Sequence, residues 1–245
     1  MKKKKKDIKE IYYNFAPDID TKAVDSKLRI QREWHKEKLN IVLEHLDLNN
    51  KRILDLGCGS GGITFKLFKR IKNSEVVGLD FNEKAIELAN RRVKKEKLKR
   101  LKFISGDAEN IPFEDNEFDA VIALDMLDHM FTPKKCLKDI RRVLNKNGKA
   151  MIGVGNYKSL WPIIEKLWDK FGDGRNYEET HLHHFDNKSF MSALKKAGFK
   201  DIKVLTTHNM AIFIKAIANF PYPKSIENFM KNNKLGMTLF CIVDK

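Results

Sequence analysis

The sequence predicts an α/β protein built on a doubly wound, mostly parallel sheet. Short apolar runs of strand length recur along the chain, amphipathic helical patterns separate most of them, and no internal repeat is present. Strands that alternate with helices are typical of a parallel sheet covered on both faces. Right-handed crossovers then bring the carboxyl ends of the parallel strands to one edge, where ligands bind.

The elements follow in order from the apolar spacing. We predict strands at residues 53–56, 75–80, 101–105, 118–124, 149–154, 201–205 and 237–243. We predict helices at residues 21–45, 61–70, 83–97, 133–144, 160–171 and 186–198. Asn82 and Asp186 precede two of these helices, and their side chains suit the acceptor role of an N-cap.

The chain is expected to divide into an N-terminal part and one larger domain. Residues 1–45 are predicted to form a basic tail and a helical lid, and residues 46–245 the α/β domain. Segments near 155–185 and 206–232 interrupt the alternation and are expected to cover the ligand-binding edge. The aromatic residues expected in the lid are Tyr12, Tyr13, Phe15 and Trp34.

The composition excludes several classes of protein. The chain has 245 residues, 42% hydrophobic and 10% aromatic, which excludes disorder of the whole chain. No apolar run is long enough to cross a bilayer, and no hydrophobic stretch follows the N-terminal lysines, so a secretory signal is not expected. Cys58, Cys136 and Cys241 fit neither a disulfide framework nor a zinc pattern, which favours a cytoplasmic protein.

The formal net charge of +15 is the unusual feature of the composition. Lysines fill residues 2–6, and a second basic cluster covers residues 91–102. Such a surface attracts nucleic acid, anionic lipid or an acidic substrate. No aromatic residues interleave with the second cluster as they would on a single-strand binding surface, so a solvated face is favoured and nucleic acid stays open.

A glycine-rich turn supplies the sharpest motif. It runs Asp-Leu-Gly-Cys-Gly-Ser-Gly-Gly over residues 55–62, directly after the first strand and before a helix. Glycines let the backbone turn tightly and approach a ligand closely. The amino end of the following helix offers N–H groups to an acidic moiety.

Acidic residues stand at the ends of the next two strands. Asp80 ends the second strand and suits the two hydroxyls of a ribose. Asp107 follows the third strand in Gly-Asp-Ala and suits an exocyclic amine such as that of adenine. With the glycine turn, these acids predict a nucleoside-containing ligand at the sheet edge.

These motifs resemble the class I family of methyltransferases that use S-adenosylmethionine (SAM), in its small-molecule, quinone-biosynthesis-like branch. The resemblance covers about residues 50–205 and includes Arg-Val-Leu-Asn-Lys-Asn-Gly-Lys at 142–149, where Asn147 replaces a frequent glycine. It implies a Rossmann-like sheet of seven strands with the last one antiparallel, and SAM as cofactor. The residues it implies for cofactor binding are Asp55, Gly57, Cys58, Gly59, Gly61, Asp80, Phe81, Asp107, Ala108 and Leu124.

A rival interpretation is dinucleotide binding. Gly57, Gly59 and Gly62 also satisfy G-x-G-x-x-G, and Asp80 suits an NAD ribose. That fingerprint is weak by itself. Asp55 and the Gly-Asp-Ala segment around Asp107 fit the methyltransferase pattern better.

Methyl transfer mainly needs alignment and desolvation, and a base only if the acceptor must lose a proton. His129 is the candidate base after the fourth strand, and Asp125 the candidate for orienting the acceptor. A merely structural role for His129 is left open. The residues predicted to line the acceptor site are Tyr13, Trp34, Met126 and His184. No metal is predicted, because the histidines at 181, 183 and 184 match no common ligand spacing.

The acceptor is predicted to be a small molecule, aromatic or lipid-like. Ala-Leu-Asp-Met at 123–126 differs from the Asn/Asp-Pro-Pro-Tyr/Phe segment of amino-methylating nucleobase enzymes, and no Pro-Cys pair occurs. Two alternatives stay open: modification of RNA or protein, and SAM binding without catalysis. The oligomeric state is not predicted.

Overall fold

The computed structural model describes residue 10 and residues 17–171, 180–207 and 236–245. Its strands are β1 Arg52–Leu56, β2 Glu75–Asp80, β3 Leu101–Ser105, β4 Phe118–Leu124, β5 Leu144–Gly155, β6 Lys200–Thr207 and β7 Thr238–Asp244. Its helices are α1 Ile19–Val24, α2 Arg29–His45, α3 Gly62–Phe68, α4 Glu83–Lys95, α5 Pro133–Val143, α6 Trp161–Phe171 and α7 Asn187–Lys196. A 3₁₀ turn, Leu127–His129, follows β4.

The strands form one sheet in the order β3-β2-β1-β4-β5-β7-β6. Adjacent strands from β3 to β5 run parallel, and β7 runs antiparallel to both β5 and β6. The predicted fold class, with its antiparallel last strand, is confirmed. The order reverses direction at β1, which pairs with both β2 and β4, so a crevice opens above its carboxyl end.

Hydrophobic cores lie on both faces of the sheet, as the doubly wound prediction requires. Leu54 of β1 belongs to the core under α5 and α7, whereas the neighbouring Ile53 belongs to the core under α2, α3 and α4. This alternation follows from the two-residue period of a strand. Both residues are fully buried, so β1 is apolar throughout, as a central parallel strand should be.

The helical region predicted at 21–45 is two helices, and the prediction of one continuous segment was wrong. The chain breaks after α1, and Leu28, which the helical spacing had included, is 60% exposed. Side-chain hydrogen bonds hold the break open. Arg32 Nη1 donates to the carbonyls of Ser26 and Lys27 at 2.5 and 2.9 Å, and Ser26 Oγ accepts from the Leu28 amide at 3.1 Å.

Strand β5 is longer than the predicted 149–154. Leu144 already pairs with Phe118, and the register shifts before Lys149 pairs with Ala120. The extra residues follow because α5 ends directly at Leu144 and the chain turns at once into the sheet. The other elements end within a few residues of the predicted bounds.

The predicted caps of α4 and α7 are confirmed. Asn82 accepts from the Ala85 amide, and Asp186 accepts from the Ser189 amide at 2.7 Å in a full capping box. Gly198, with φ +92°, follows the end of α7. Of the residues that the structure describes, no helix is both long and apolar enough to cross a membrane.

Gly78 in β2 admits the ring of Phe103 from β3, and we expect Gly78→Ala to destabilise the protein. An added Cβ would lie 2.4 Å from Phe103 Cδ1 and 2.8 Å from Cys58 Sγ. Overpacking of this kind costs about 1–3 kcal/mol of unfolding free energy. Urea unfolding measures the loss, and Ser105→Ala, at the exposed end of β3, is the control. Equal stability of Gly78→Ala and the wild type would mean that Phe103 moves without cost.

Candidate active site

The glycine turn after β1 is tied to the end of β2 through its backbone. The amides of Gly57 and Cys58 donate to the Leu79 carbonyl at 2.8 and 3.2 Å. Asp80 Oδ2 accepts from the Gly59 amide at 2.9 Å, and its Oδ1 accepts from the Asn82 amide at 2.9 Å. The predicted ribose acid therefore also fixes the position of the turn.

Two glycines of this turn are required by their surroundings. Gly57 has φ +75°, and an added Cβ would lie 3.0 Å from Met126 Cβ. Gly61 has φ +82°, and its Cβ would lie 2.7 Å from the Phe103 ring. The turn therefore passes close to Met126, which follows β4.

Acidic side chains stabilise the loops at this edge. Asp55, buried at β1, accepts from Thr64 Oγ1 of α3 at 2.5 Å. Asp107 Oδ1 accepts from the Glu109 amide at 3.0 Å. The buried Glu109 accepts at Oε1 from the amides of Phe131 and Thr132, at 2.6 and 3.0 Å. Glu109 thus holds the segment after β4 close to the Asp107 loop.

A cavity of about 330 Å³ opens above the ends of β1, β2 and β4. It brings together most of the residues predicted from the sequence. Those that line it are Asp55, Gly57, Cys58, Gly59, Asp80, Phe81, Asp107, Ala108, Leu124, Asp125, Met126, His129 and Trp34. Gly61 and His184 are absent from its lining, and Tyr13 lies outside the described residues, as do Tyr12 and Phe15.

The cavity has two covers. From the N-terminal side, α1 is held on the glycine turn by Thr21 Oγ1, which lies 2.8 Å from Ser60 Oγ. From the other side, α6 brings Trp161, whose ring centroid lies 5.7 Å from that of Trp34 in α2. Both tryptophans line the cavity. Of the predicted covers near 155–185 and 206–232, residues 172–179 and 208–232 lie outside the described residues.

His129 lies at the cavity wall with its tautomer fixed. Its Nδ1 is 3.0 Å from the Thr180 carbonyl oxygen, which can only accept, so Nδ1 carries the proton and Nε2 the lone pair of the neutral ring. Burial lowers the pKa of His129 to about 4, and the nearby His181 adds to the effect. His129 is therefore neutral at pH 7.

Asp125 forms an ion pair with Lys38 of α2, a partner that the sequence analysis had not identified. The Asp125 side chain is 43% exposed and that of Lys38 5%. Asp125 has φ +51°, and its amide donates to the Gly153 carbonyl at 3.0 Å. The buried lysine thus places a positive charge beside the predicted acceptor-orienting carboxylate.

The structure corrects the placement of His184. It is exposed and stacks on the Tyr157 ring at a centroid distance of 4.0 Å, whereas His181 lines the cavity. The amides of Leu182 and His183 both donate to the Asp128 carbonyl, at 2.8 and 3.1 Å. These bonds fix which side of the segment faces the cavity.

Sequence analysis missed three charged or polar residues of this region, although a signal existed for two of them. Lys38 lies four residues after Trp34 and four before Val42, so helical spacing assigns it to the buried face. Glu165 follows Trp161 by four in the same way. A charged residue on the apolar face of a helix therefore predicts a partner of opposite charge in the folded protein. Glu109 had no such signal.

Residues 47–198, more than half of the chain, match the family described as a methyltransferase domain. The chain belongs to this family. Its sheet order, glycine turn and strand-end acids agree with that membership, and the protein is a SAM-dependent methyltransferase.

Relatives of the methyltransferase are similar to it in sequence over most of its length. The phthiotriol/phenolphthiotriol dimycocerosates methyltransferase 1 of Mycobacterium ulcerans is 26% identical, covering 94% of this chain and 82% of its own. The demethylmenaquinone methyltransferase of Lactobacillus johnsonii is 29% identical, covering 84% of this chain and 89% of its own. A SAM-dependent methyltransferase structure from Thermotoga maritima has a TM-score of 0.70 at 21% identity, over 96% of this chain and 99% of that one. This last likeness confirms the fold.

Glu109→Ala is expected to destabilise the methyltransferase by about 1–2 kcal/mol, because it leaves two part-buried amides without their acceptor. Glu109→Gln keeps an acceptor oxygen and should cost about 1 kcal/mol or less. Urea unfolding measures both, and hydrogen exchange should quicken at the amides of Phe131 and Thr132 in Glu109→Ala. Unchanged exchange at those amides would contradict the anchoring role.

Proposed function

We propose that this methyltransferase transfers a methyl group to a lipid-like small molecule that carries an aromatic ring. The observation that carries the proposal is one cavity with two unlike parts. Its acidic, glycine-lined part lies at β1 and β2, and its apolar part lies between Trp34, Trp161 and Met126. His129 lines the same cavity.

The residues at β1 and β2 fit SAM. Gly57 and Gly59 turn with positive φ and allow a ligand to approach the backbone. An ionised carboxylate has about four acceptor sites, and the two amides bound to Asp80 use one on each oxygen. We assign the ribose to Asp80 and the adenine amine to Asp107. Bound SAM supplies a methyl carbon attached to a positively charged sulfur.

The apolar part of the cavity suits a hydrophobic acceptor. Trp34 and Trp161 provide flat apolar surfaces, and the further apolar side chains in the lining are Ile30, Ile63, Met126, Met130, Phe131 and Ile164. Both relatives act, by their names, on lipid-like molecules, and one of these is a quinone. These features support a lipid-like acceptor with a ring seated against the tryptophans.

His129 is assigned as the base and Asp125 as the residue that orients the acceptor. The neutral ring with its lone pair at Nε2 is ready to accept a proton. The Lys38–Asp125 pair gives the acceptor site one donor and one acceptor of hydrogen bonds.

Modification of RNA is the less favoured candidate. In the basic cluster, Arg91 pairs with Glu87 and Arg92 with Glu96, at 2.5 and 2.7 Å. Lys102 pairs with Glu75 at 3.7 Å. Acidic partners within the cluster weaken its attraction for phosphates.

We further propose a cytoplasmic protein in which residues 1–45 form the lid of the domain at 46–245. All three cysteines are buried and none of them forms a disulfide, which supports a reducing compartment. The packing of α1 on the glycine turn supports the lid.

Calorimetric titration with SAM and, separately, with NADH tests the cofactor assignment. We expect SAM to bind, NADH not to bind, and Asp80→Ala to weaken SAM binding by about 10- to 100-fold, since charged hydrogen bonds are lost. Asp115→Asn, a carboxylate paired with Arg142 outside the cavity, is the control. NADH binding in the absence of SAM binding would overturn the proposal.

Labelled-methyl transfer to a short-chain demethylated naphthoquinol tests the acceptor and the base together. His129→Gln should lower the transfer rate by about 10²- to 10⁴-fold and leave the SAM affinity unchanged. His183→Gln, whose side chain is absent from the cavity lining, serves as the matched control. Equal rates in His129→Gln and the wild type would remove the base from the mechanism. Tight SAM binding without transfer to quinols, amines or RNA would favour a SAM-binding protein without catalysis.

A further inference from the structure

A second polar cluster lies directly behind His129, and the reaction as described above makes no use of it. His181 Nδ1 lies 2.7 Å from Glu165 Oε1 and 2.7 Å from the Tyr157 hydroxyl. The Tyr157 hydroxyl donates to the same Glu165 oxygen at 2.9 Å. Glu165 is 4% exposed and His181 8%. A carboxylate is rarely buried this deeply unless it is paired.

This cluster is fastened to His129 at several points. The His129 and His181 rings lie 4.5 Å apart between centroids. The Thr180 carbonyl, one residue before His181, accepts from His129 Nδ1, and the Asp128 carbonyl accepts from two amides of the same segment. Any shift of His181 therefore moves the partner that fixes the His129 tautomer.

The charges around His181 favour its protonated form. Burial alone would lower the pKa of His181, but the hydrogen bond that it donates to Glu165 and the charges of Asp128 and Asp125 raise the pKa above its usual value. The pKa of Glu165 is lowered despite its burial, because His181 bonds to it. The two side chains thus form an imidazolium–carboxylate pair.

His129 faces charged groups from every element packed on it. His181 approaches from the segment before α7, Asp128 lies in the same 3₁₀ turn, and Asp125 approaches from the end of β4 with Lys38 of α2 bound to it. Asp128 is 2% exposed, its Oδ2 accepts from the Gly155 amide at 3.2 Å, and its Oδ1 has no hydrogen-bond partner among the described residues. Burial is the largest cause of the low pKa of His129; the charge of His181 adds to it, and the two carboxylates oppose it.

We propose that His181 and Glu165 are positioning residues for methyl transfer: as a buried ion pair behind His129, they keep that ring neutral and hold its proton on Nδ1. The inference rests on the proposed function, because it assigns His129 the role of base. Two neighbouring imidazoles whose pKa values are shifted in opposite directions divide the roles of charged partner and neutral base.

This arrangement restricts the class of acceptor. A base that is protonated only near pH 4 does not deprotonate an aliphatic alcohol. It does accept a proton that becomes acidic as the acceptor's new bond to the methyl carbon forms and the carbon–sulfur bond breaks with its electron pair left on sulfur, as on an attacked aromatic carbon or an attacked neutral amine. The proton then lies on His129 Nε2 and is released to water, which restores the neutral ring.

NMR titration of ¹⁵N-histidine in the full chain tests the ion pair without an acceptor. The wild type should show His129 titrating near pH 4 and His181 above its usual range. In Glu165→Gln the titration midpoint of His181 should fall. In His181→Asn that of His129 should rise by about one pH unit, a tenfold change in proton affinity, because the neighbouring charge is gone.

Two further variants complete the test. Glu165→Asp retains the charge and should keep the wild-type order of the two midpoints, whereas His183→Asn, outside the cluster, should change neither. A His129 midpoint that stays at its wild-type value in a folded His181→Asn or Glu165→Gln variant overturns the inference. Each substitution removes a different member of the ion pair, so one folded variant is enough to decide.

The transfer assay separates this inference from the proposed function. The acid limb of the pH–rate profile should move upward with the His129 midpoint in His181→Asn, so the rate at pH 5 relative to pH 8 should fall. Shifted NMR midpoints without methyl transfer to any acceptor would refute the proposed function but leave the ion pair intact. Transfer with an unmoved acid limb would refute the positioning role alone.

Discussion

The site depends on the hydrogen bonds that tie the turn after β1 to the end of β2. Because the sheet order reverses at β1, its carboxyl end opens into a crevice rather than under a helix. The turn crosses this crevice. The amides of Gly57 and Cys58 donate hydrogen bonds to the Leu79 carbonyl, and the Gly59 amide donates one to the Asp80 carboxylate. Helix α1 contacts this turn through Thr21 and Ser60, and Met126 after β4 lies close to Gly57.

The interior of the cavity differs in charge from the surface of the protein. The chain carries a net charge of +15. Among the described residues, the cavity is nevertheless lined by more acidic than basic side chains. The carboxylates are those of Asp55, Asp80, Asp107, Glu109, Asp125 and Asp128, and the basic side chains are Lys38, His35, His129 and His181. Most of these carboxylates accept hydrogen bonds from backbone amides or form an ion pair with a basic side chain. The negative charges thereby serve to hold loops, and they also favour a positively charged sulfur in the cofactor part.

Much of this architecture was predictable, and the errors have identifiable causes. Apolar runs gave the strands because a central parallel strand is buried on both faces. The continuous helix at 21–45 was wrong because Arg32 stabilises a break through the carbonyls of Ser26 and Lys27, local side-chain hydrogen bonds that apolar spacing does not encode. His184 was chosen over His181 because the orientation of an irregular segment depends on bonds to Asp128, far away in sequence.

The sequence by itself determined the order of strands and helices, the glycine turn and the acids at the strand ends, because these depend on local spacing and backbone freedom. Only the tertiary structure decided which side chains meet at the acceptor. Lys38 of α2 pairs with Asp125, and Glu165 of α6 pairs with His181, whose ring lies against that of His129. Such pairs form because a buried charge needs a partner, and which partner it finds depends on how distant helices pack.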